Sequence, residues 1–256
     1  MIRIIFILFL FLFLPGFVEN GRVVYDGSGI FSFKELTVEL WIRFKFNPEE
    51  KTEKVWIPKG SILNFEIPEE KTYFTISCGI KTGQKGKEDS RCCLRIGFVI
   101  EGKEVQHPAF IDSTFFGNDW HHLAILWTEG KKLIIYVDGK KVAEHILHNK
   151  MDKDIVGKSN LIIGTPFVWY YENLIEIDEI RISSILRKEN ELSIYKNEID
   201  PFVLFYENFE NIKQEDEVLF TFPYIASVEG KRKYKIENGR IVKGKFGNCF
   251  SFTKLE

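Results

Sequence analysis

Between Arg91 and Ile146 short apolar runs alternate with turn signals so regularly that few architectures remain open to the chain. The runs are Arg91–Ile100, Glu104–Ile111, Trp120–Thr128, Lys132–Val137 and Lys141–Ile146, and the connections include Glu101-Gly102, Glu129-Gly130 and Asp138-Gly139. Asp-Gly between apolar runs is a strong hairpin signal, because both central residues of a type I′ turn take positive φ. The spacing predicts a meander of antiparallel neighbours. Two of its runs, LAILW at 123–127 and LIIYV at 133–137, are apolar at every position. Such strands do not lie on an open sheet with one wet face; they call for a second layer. Helical periodicity over ten residues is hard to find beyond the N-terminus, although LRKENELSIY at 186–195 interleaves charges with Leu and Ile in helical fashion. The expected class is all-β: a two-sheet antiparallel jelly-roll sandwich of roughly a dozen strands, with a short helix near residues 186–195. With 45% hydrophobic residues among 256, the chain has enough apolar mass for a core, which excludes a disordered protein.

The first residues read differently. MIRIIFILFLFLFLPGF has one basic residue, Arg3, an unbroken apolar run from Ile4 to Leu14, and then the helix-breaking Pro15 and Gly16. This is the form of a secretory signal over residues 1–17, and the run falls short of the ~18 residues that span a bilayer. The expectation is a secreted, periplasmic or cell-surface protein with no stable membrane span unless the signal stays uncleaved. Lys and Arg number 35 against 37 Asp and Glu, so no global field draws the chain to nucleic acid. The four cysteines lack zinc spacing. Cys78 lies in one strand, Cys92 and Cys93 in the next, so a cross-hairpin disulfide is one reading and small buried thiols the other.

An internal repeat divides the rest. Residues 18–24 read VENGRVV and residues 236–242 read IENGRIV, and each is followed by Phe-Ser-Phe, at 31–33 and 250–252. Residues 18–199 are accordingly the sandwich, and residues 200–256 a partial repeat of its start. That tail either completes the sandwich or opens an incomplete second domain.

The stretch GNDWHHLAILWTEGKKLIIYVDGKKVA, Gly117 to Ala143, resembles the central strands of the laminin G-like, concanavalin A-like superfamily, which carry Trp-x-His-apolar-Ala and then Tyr-x-Asp-Gly. Trp120, His122, Leu123, Ala124, Tyr136, Asp138, Gly139 and Val142 meet that pattern. DGSGIFSFKELTVELWIRF at 26–44 resembles the opening strands, and LIIGTP with IDEIRISSILRKENEL, between Leu161 and Leu192, the closing strand and the short helix after it. The resemblance implies a concanavalin A-like sandwich over about residues 20–195. It implies fold more firmly than function, since lectins, adhesion modules and glycanases share the fold.

Retaining glucanases of this fold use a strand reading Glu-x-Asp-x-Glu, whose alternate carboxylates share one face. Glu176 and Asp178 fit, but the third position is Ile180, and strict alternation sends Glu179 to the opposite face. The expectation is therefore no enzyme. Trp41, Trp120 and Trp127 sit in apolar strands and read as core, and His121 and His122 alternate across their strand without a third metal ligand. Calcium is the one cofactor considered, at the oxygen-rich loop containing Asp112, Asn118 and Asp119. For a ligand, the loop PFVWYYEN offers Trp169, Tyr170 and Tyr171 as flat faces, unless these simply pack. The function expected is an exported binding or adhesion module for a glycan or a surface protein. The alternatives are a structural fragment of a larger repeated surface protein and a glycoside hydrolase.

Overall fold

The computed structural model describes residues 21–31, 34–45, 60–70, 72–81, 91–100, 103–111, 115, 117–128, 131–147, 158–164, 175–192, 199–216, 218–226 and 232–252. In chain order the strands are β1 (Arg22–Asp26), β2 (Glu35–Phe44), β3 (Gly60–Ile67), β4 (Thr72–Lys81), β5 (Arg91–Ile100), β6 (Lys103–Phe110), β7 (Trp120–Thr128), β8 (Lys132–Val137) and β9 (Lys140–Ile146). They continue with β10 (Asn160–Gly164), β11 (Ile175–Ser183), β12 (Val203–Glu207), β13 (Ile212–Glu215), β14 (Val218–Thr221), β15 (Tyr224–Ile225), β16 (Tyr234–Glu237), β17 (Arg240–Lys243) and β18 (Asn248–Ser251).

They form two antiparallel sheets. The first runs β13-β14-β16-β1-β10-β3-β4-β5-β6, and the second β15-β12-β11-β2-β7-β8-β9, with β18 also on β11 and β17 on β18. The expected sandwich is what the chain builds, because the apolar face of each sheet has only the other to lie against. Phe31, Phe65, Phe74 and Phe98 of the first half of the chain pack around Trp127, whose side chain is fully buried. The Asp138-Gly139 hairpin has φ of 50° and 73°, the positive pair a type I′ turn needs.

Two expectations are corrected. The meander is not continuous: β5 and β6 close the edge of the first sheet, and the chain then crosses to the second sheet, where β7, β8 and β9 lie side by side. Local turn chemistry specifies hairpins, but a long loop leaves the choice of sheet to packing. The helix near 186–195 shrinks to a single 3-10 turn at Glu189–Glu191, after which Leu192 packs on Ala124 and Leu126 of β7. One buried leucine is enough to dock so short a segment, and residues 193–198 lie outside the described residues.

Strands β12 to β18 pair with both sheets. β12 and β18 both line the free edge of β11, β12 at Ile180–Ser183 and β18 at Glu176–Ile177. β16 lies on β1, with Arg22 opposite Glu237 and Val23 opposite Ile236, so the two copies of the repeat run antiparallel against each other. Where the tail meets the body, Glu207 is buried in the interior and accepts from Tyr25 Oη (3.2 Å), Thr221 Oγ1 (2.7 Å) and Phe209 N (2.7 Å).

Candidate functional site

Cross-strand partners share a face of a sheet, so the register of β7, β2, β11, β18 and β17 can be read as rows. On the outer face of the second sheet one row is Trp120, Arg43, Glu176, Ser251 and Arg240. The next contains His122, Trp41 and Asp178, and the one after it Ala124, Glu39 and Arg181. This face is polar yet largely covered. All nine residues of β11 are buried.

The carboxylates of the Glu-x-Asp segment are held by cations or by backbone N–H groups. Glu176 is fully buried; Arg43 Nε donates to its Oε2 (2.9 Å), and Lys45 Nζ lies 2.5 Å from Oε1. Asp178 Oδ2 accepts from the backbone N–H groups of Lys245 (2.9 Å) and Phe246 (3.1 Å). Burial pushes the Asp178 carboxyl up to about 7, against those two hydrogen bonds. The cause of this capping is topological. β12 takes the edge of β11 from Ile180 onward, so the β17–β18 hairpin has no edge left to follow and its turn, Gly244–Gly247, lies over the outer face. Phe246 meets the Trp41 ring edge-on at 5.5 Å, and Lys245 Nζ lies 4.9 Å over it.

Strict alternation fails just after Asp178. The pairing of β11 with β2 slips between Asp178 and Arg181, and Glu179 takes φ of 51°. This is a β-bulge, and it brings Glu179 to the side of Asp178, where it accepts from Tyr206 Oη, while Ile180 joins the core. The expected opposite orientation of Glu179 is thus corrected. Burial raises its carboxyl as well.

Beyond the bulge lies an ion network. Arg181 donates to Glu39 Oε2 through Nε (2.9 Å) and Nη2 (2.6 Å), and Arg187 donates to Ser183 Oγ (2.9 Å) and Asp200 Oδ2 (2.7 Å). Burial pushes the Glu39 carboxyl up to about 7, with Arg181 and Arg187 opposing. His122 Nε2 stands 3.6 Å from Glu39 Oε1, and burial lowers its imidazole to about 4, so it is neutral near pH 7. His121 instead pairs through Nδ1 with Asp138 at 2.7 Å.

The aromatic residues are sorted by the register. Trp127 is core, whereas Trp41 is buried under the tail turn on the outer face, and Trp120, half-buried, lies under the Arg43 guanidinium at 4.7 Å. The reading of all three as core is corrected for two of them. Trp169, Tyr170, Tyr171 and Asp112 lie outside the described residues, and Asn118 and Asp119 are exposed. Cys78 is buried and pairs in register with Leu94, one step from Cys93, which pairs with Gly79. Missed from sequence were the outer-face residues Arg43, Lys45, Lys245, Phe246 and Arg240. The i, i+2 spacing of Trp41, Arg43 and Lys45 was a local signal for two of them, but the tail's arrival had none.

The family model described as the concanavalin A-like lectin/glucanases superfamily matches residues 19–193. No curated protein matches the sequence. Among solved structures, a Bacteroides ovatus protein provisionally described as carbohydrate-binding is 16% identical with a TM-score of 0.50, over 93% of this chain and 61% of that one. The binding domain of Paraclostridial Mosquitocidal Protein 1 is 16% identical with a TM-score of 0.47, over 67% of this chain and 39% of that one. A botulinum neurotoxin type C structure, whose cell entry is described as dependent on two ganglioside molecules, is 14% identical with a TM-score of 0.47, over 69% and 41%. The chain spans less than two thirds of each of these three structures. The family match takes in both ends of the body, from β1 to the 3-10 turn behind β7, and its two-sheet sandwich is the one observed: the chain belongs to the concanavalin A-like lectin/glucanase superfamily.

Proposed function

We propose that this chain is an exported, non-catalytic binding module that recognises a glycan or a surface protein. The observation that carries the reading is how the carboxylates of β11 are held. Hydrolysis with retention needs two carboxyl groups ~5 Å apart, facing a groove that admits sugar. Here Glu176 is held by Arg43 and Lys45, Asp178 is capped by the tail turn, and Ile180 fills the core where a third carboxylate is needed. Freeing either carboxylate means lifting the hairpin or breaking a buried ion pair, which costs several kcal/mol. Export rests on the form of residues 1–17. The provisional carbohydrate-binding description of the Bacteroides ovatus protein agrees with the reading.

A glycan array probed with the mature chain, with and without calcium, tests it, alongside a reducing-sugar assay on β-glucans. Saturable binding without sugar release is expected. Release of reducing sugar overturns the non-catalytic reading, and silence across glycans and surface proteins leaves a purely structural unit. Loss of binding in Trp169→Ala places the contact in the 166–173 loop.

A further inference from the structure

On the side of the sandwich away from the tail, β6 ends the first sheet and β9 ends the second. On β6 His107 pairs in register with Ile96 of β5, and on β9 His145 pairs with Leu133 of β8. Ile96 and Leu133 are fully buried, and cross-strand partners share a face, so both imidazoles turn into the gap between the sheets. There the two rings adjoin, with centres 5.3 Å apart and planes inclined at 49°. The Phe98 ring meets His107 edge-on at 6.0 Å. Ile96, Phe98 and Leu133 carry no charge that would repel a cation. The ion group of β9, Glu144 with Lys132 and Lys141, starts from the residue next to His145 and so belongs to the opposite face.

One ring nitrogen of this pair is left unmatched. Nε2 of His145 is shielded from solvent and has no hydrogen-bond partner. A polar atom buried in that way costs about 1–3 kcal/mol, which a partner for its lone pair recovers. Ring contact between the two histidines does not supply that partner; a metal ion does. Two imidazoles that share one tetrahedral Zn2+, at Zn–N of about 2.0–2.1 Å, have ring centres ~5 Å apart. The pair stands at that spacing already. Imidazole nitrogen suits Zn2+, Cu2+ and Ni2+, whereas Ca2+ and Mg2+ take oxygen.

We infer that His107 and His145 form a two-imidazole site for a borderline divalent ion, Zn2+ foremost, which ties the edge of one sheet to the edge of the other. Among the described residues no cluster of three His, Cys, Asp or Glu stands ready for a metal, so water completes the coordination and the ion is exchangeable. The tail closes its own side of the sandwich by pairing with both sheets. The ion does the same for the side where β6 and β9 meet, independently of any ligand the module binds.

Titration calorimetry of the tag-free mature chain with ZnCl2, together with urea unfolding with and without the ion, tests it. The parent takes up a Zn2+ equivalent that raises the urea midpoint and that CaCl2 does not displace. His107→Gln and His145→Gln each weaken that equivalent about tenfold or more, and the double variant resembles the single ones, since either change breaks the same chelate. Should a variant fail to fold, NMR of the parent carries the test: Zn2+ moves the ring signals of His107 and His145 together and leaves those of His122 in place. Absence of Zn2+ uptake by the parent, undiminished uptake in either single variant, or unmoved His107 and His145 signals overturns the inference.

Discussion

Gly21 and Gly239, the glycines of the two Asn-Gly-Arg copies, meet backbone to backbone: a Cβ on Gly21 would lie 2.5 Å from Gly239 Cα. Beside them Arg22 Nε of the first copy donates to Glu237 Oε2 of the second at 2.6 Å, and Gly21 N donates to Phe252 O. The repeat is thus a seam of two like segments, in which Gly21 makes room for the main chain at Gly239 and Gly239 makes room for the Phe250 ring.

Gly21→Ala therefore destabilises the fold, by about 1–3 kcal/mol, because the added methyl meets main chain that cannot rotate away. Gly139→Ala, with open space around it but φ of 73°, costs about 1 kcal/mol through backbone strain alone. Urea unfolding midpoints of the two variants check the order; a Gly21→Ala as stable as the parent refutes the close seam.

The Asp178 carboxylate holds the turn at Lys245 and Phe246. In Asp178→Ala those two N–H groups lose their acceptor, and their amide exchange accelerates by about tenfold or more, consistent with about 1–3 kcal/mol for unmaking such bonds. Exchange measured by NMR at these two amides, with core β7 amides as reference, decides it.

Burial pushes the Glu207 carboxyl up to about 7, with Thr221, the Phe209 N–H and Tyr25 opposing. A carboxyl raised above its unfolded value of about 4.5 binds more protons in the folded state, so its contribution is fully present below that value and is lost as pH rises through 7. Stability should fall between pH 5 and pH 8, by no more than about 1.4 kcal/mol per pH unit for this one group. Glu207→Gln should flatten the profile; an unchanged slope in urea titrations at the two pH values counts against a buried, raised Glu207.

Cys249 is a free, buried thiol whose pKa is raised by burial and by the nearby Glu176 and Asp178 carboxylates. Thiolate is the reactive form, so Cys249 should resist iodoacetamide in the native protein and label fully in denaturant. Peptide mapping by mass spectrometry reads the difference, and native labelling at the unfolded rate contradicts the packing over β18.

Local signals were strong where neighbours in sequence are neighbours in space. The bounds of β5, β7 and β8 match the runs read from sequence, and Asp138-Gly139 is a hairpin because its φ angles need those two residues. Repetition of Asn-Gly-Arg marked both ends of a seam, but nothing in either copy said that they would face each other. Glu176 and Asp178 were visible as a pair, while the bulge that turns Glu179 to their side was not, since a slip in register is a property of two strands.

The amino-acid sequence by itself determined an all-β sandwich, because runs apolar at every position demand a second layer and turn residues set the hairpins. Only the tertiary structure decided which strands share a sheet, that β12 and β18 divide the edge of β11, and that the displaced hairpin covers Asp178 and lays Lys245 and Phe246 on Trp41. Those contacts join residues some 60 to 200 positions apart in the chain. Their selection depends on which apolar faces fit and which edges remain free, and no window of sequence contains that.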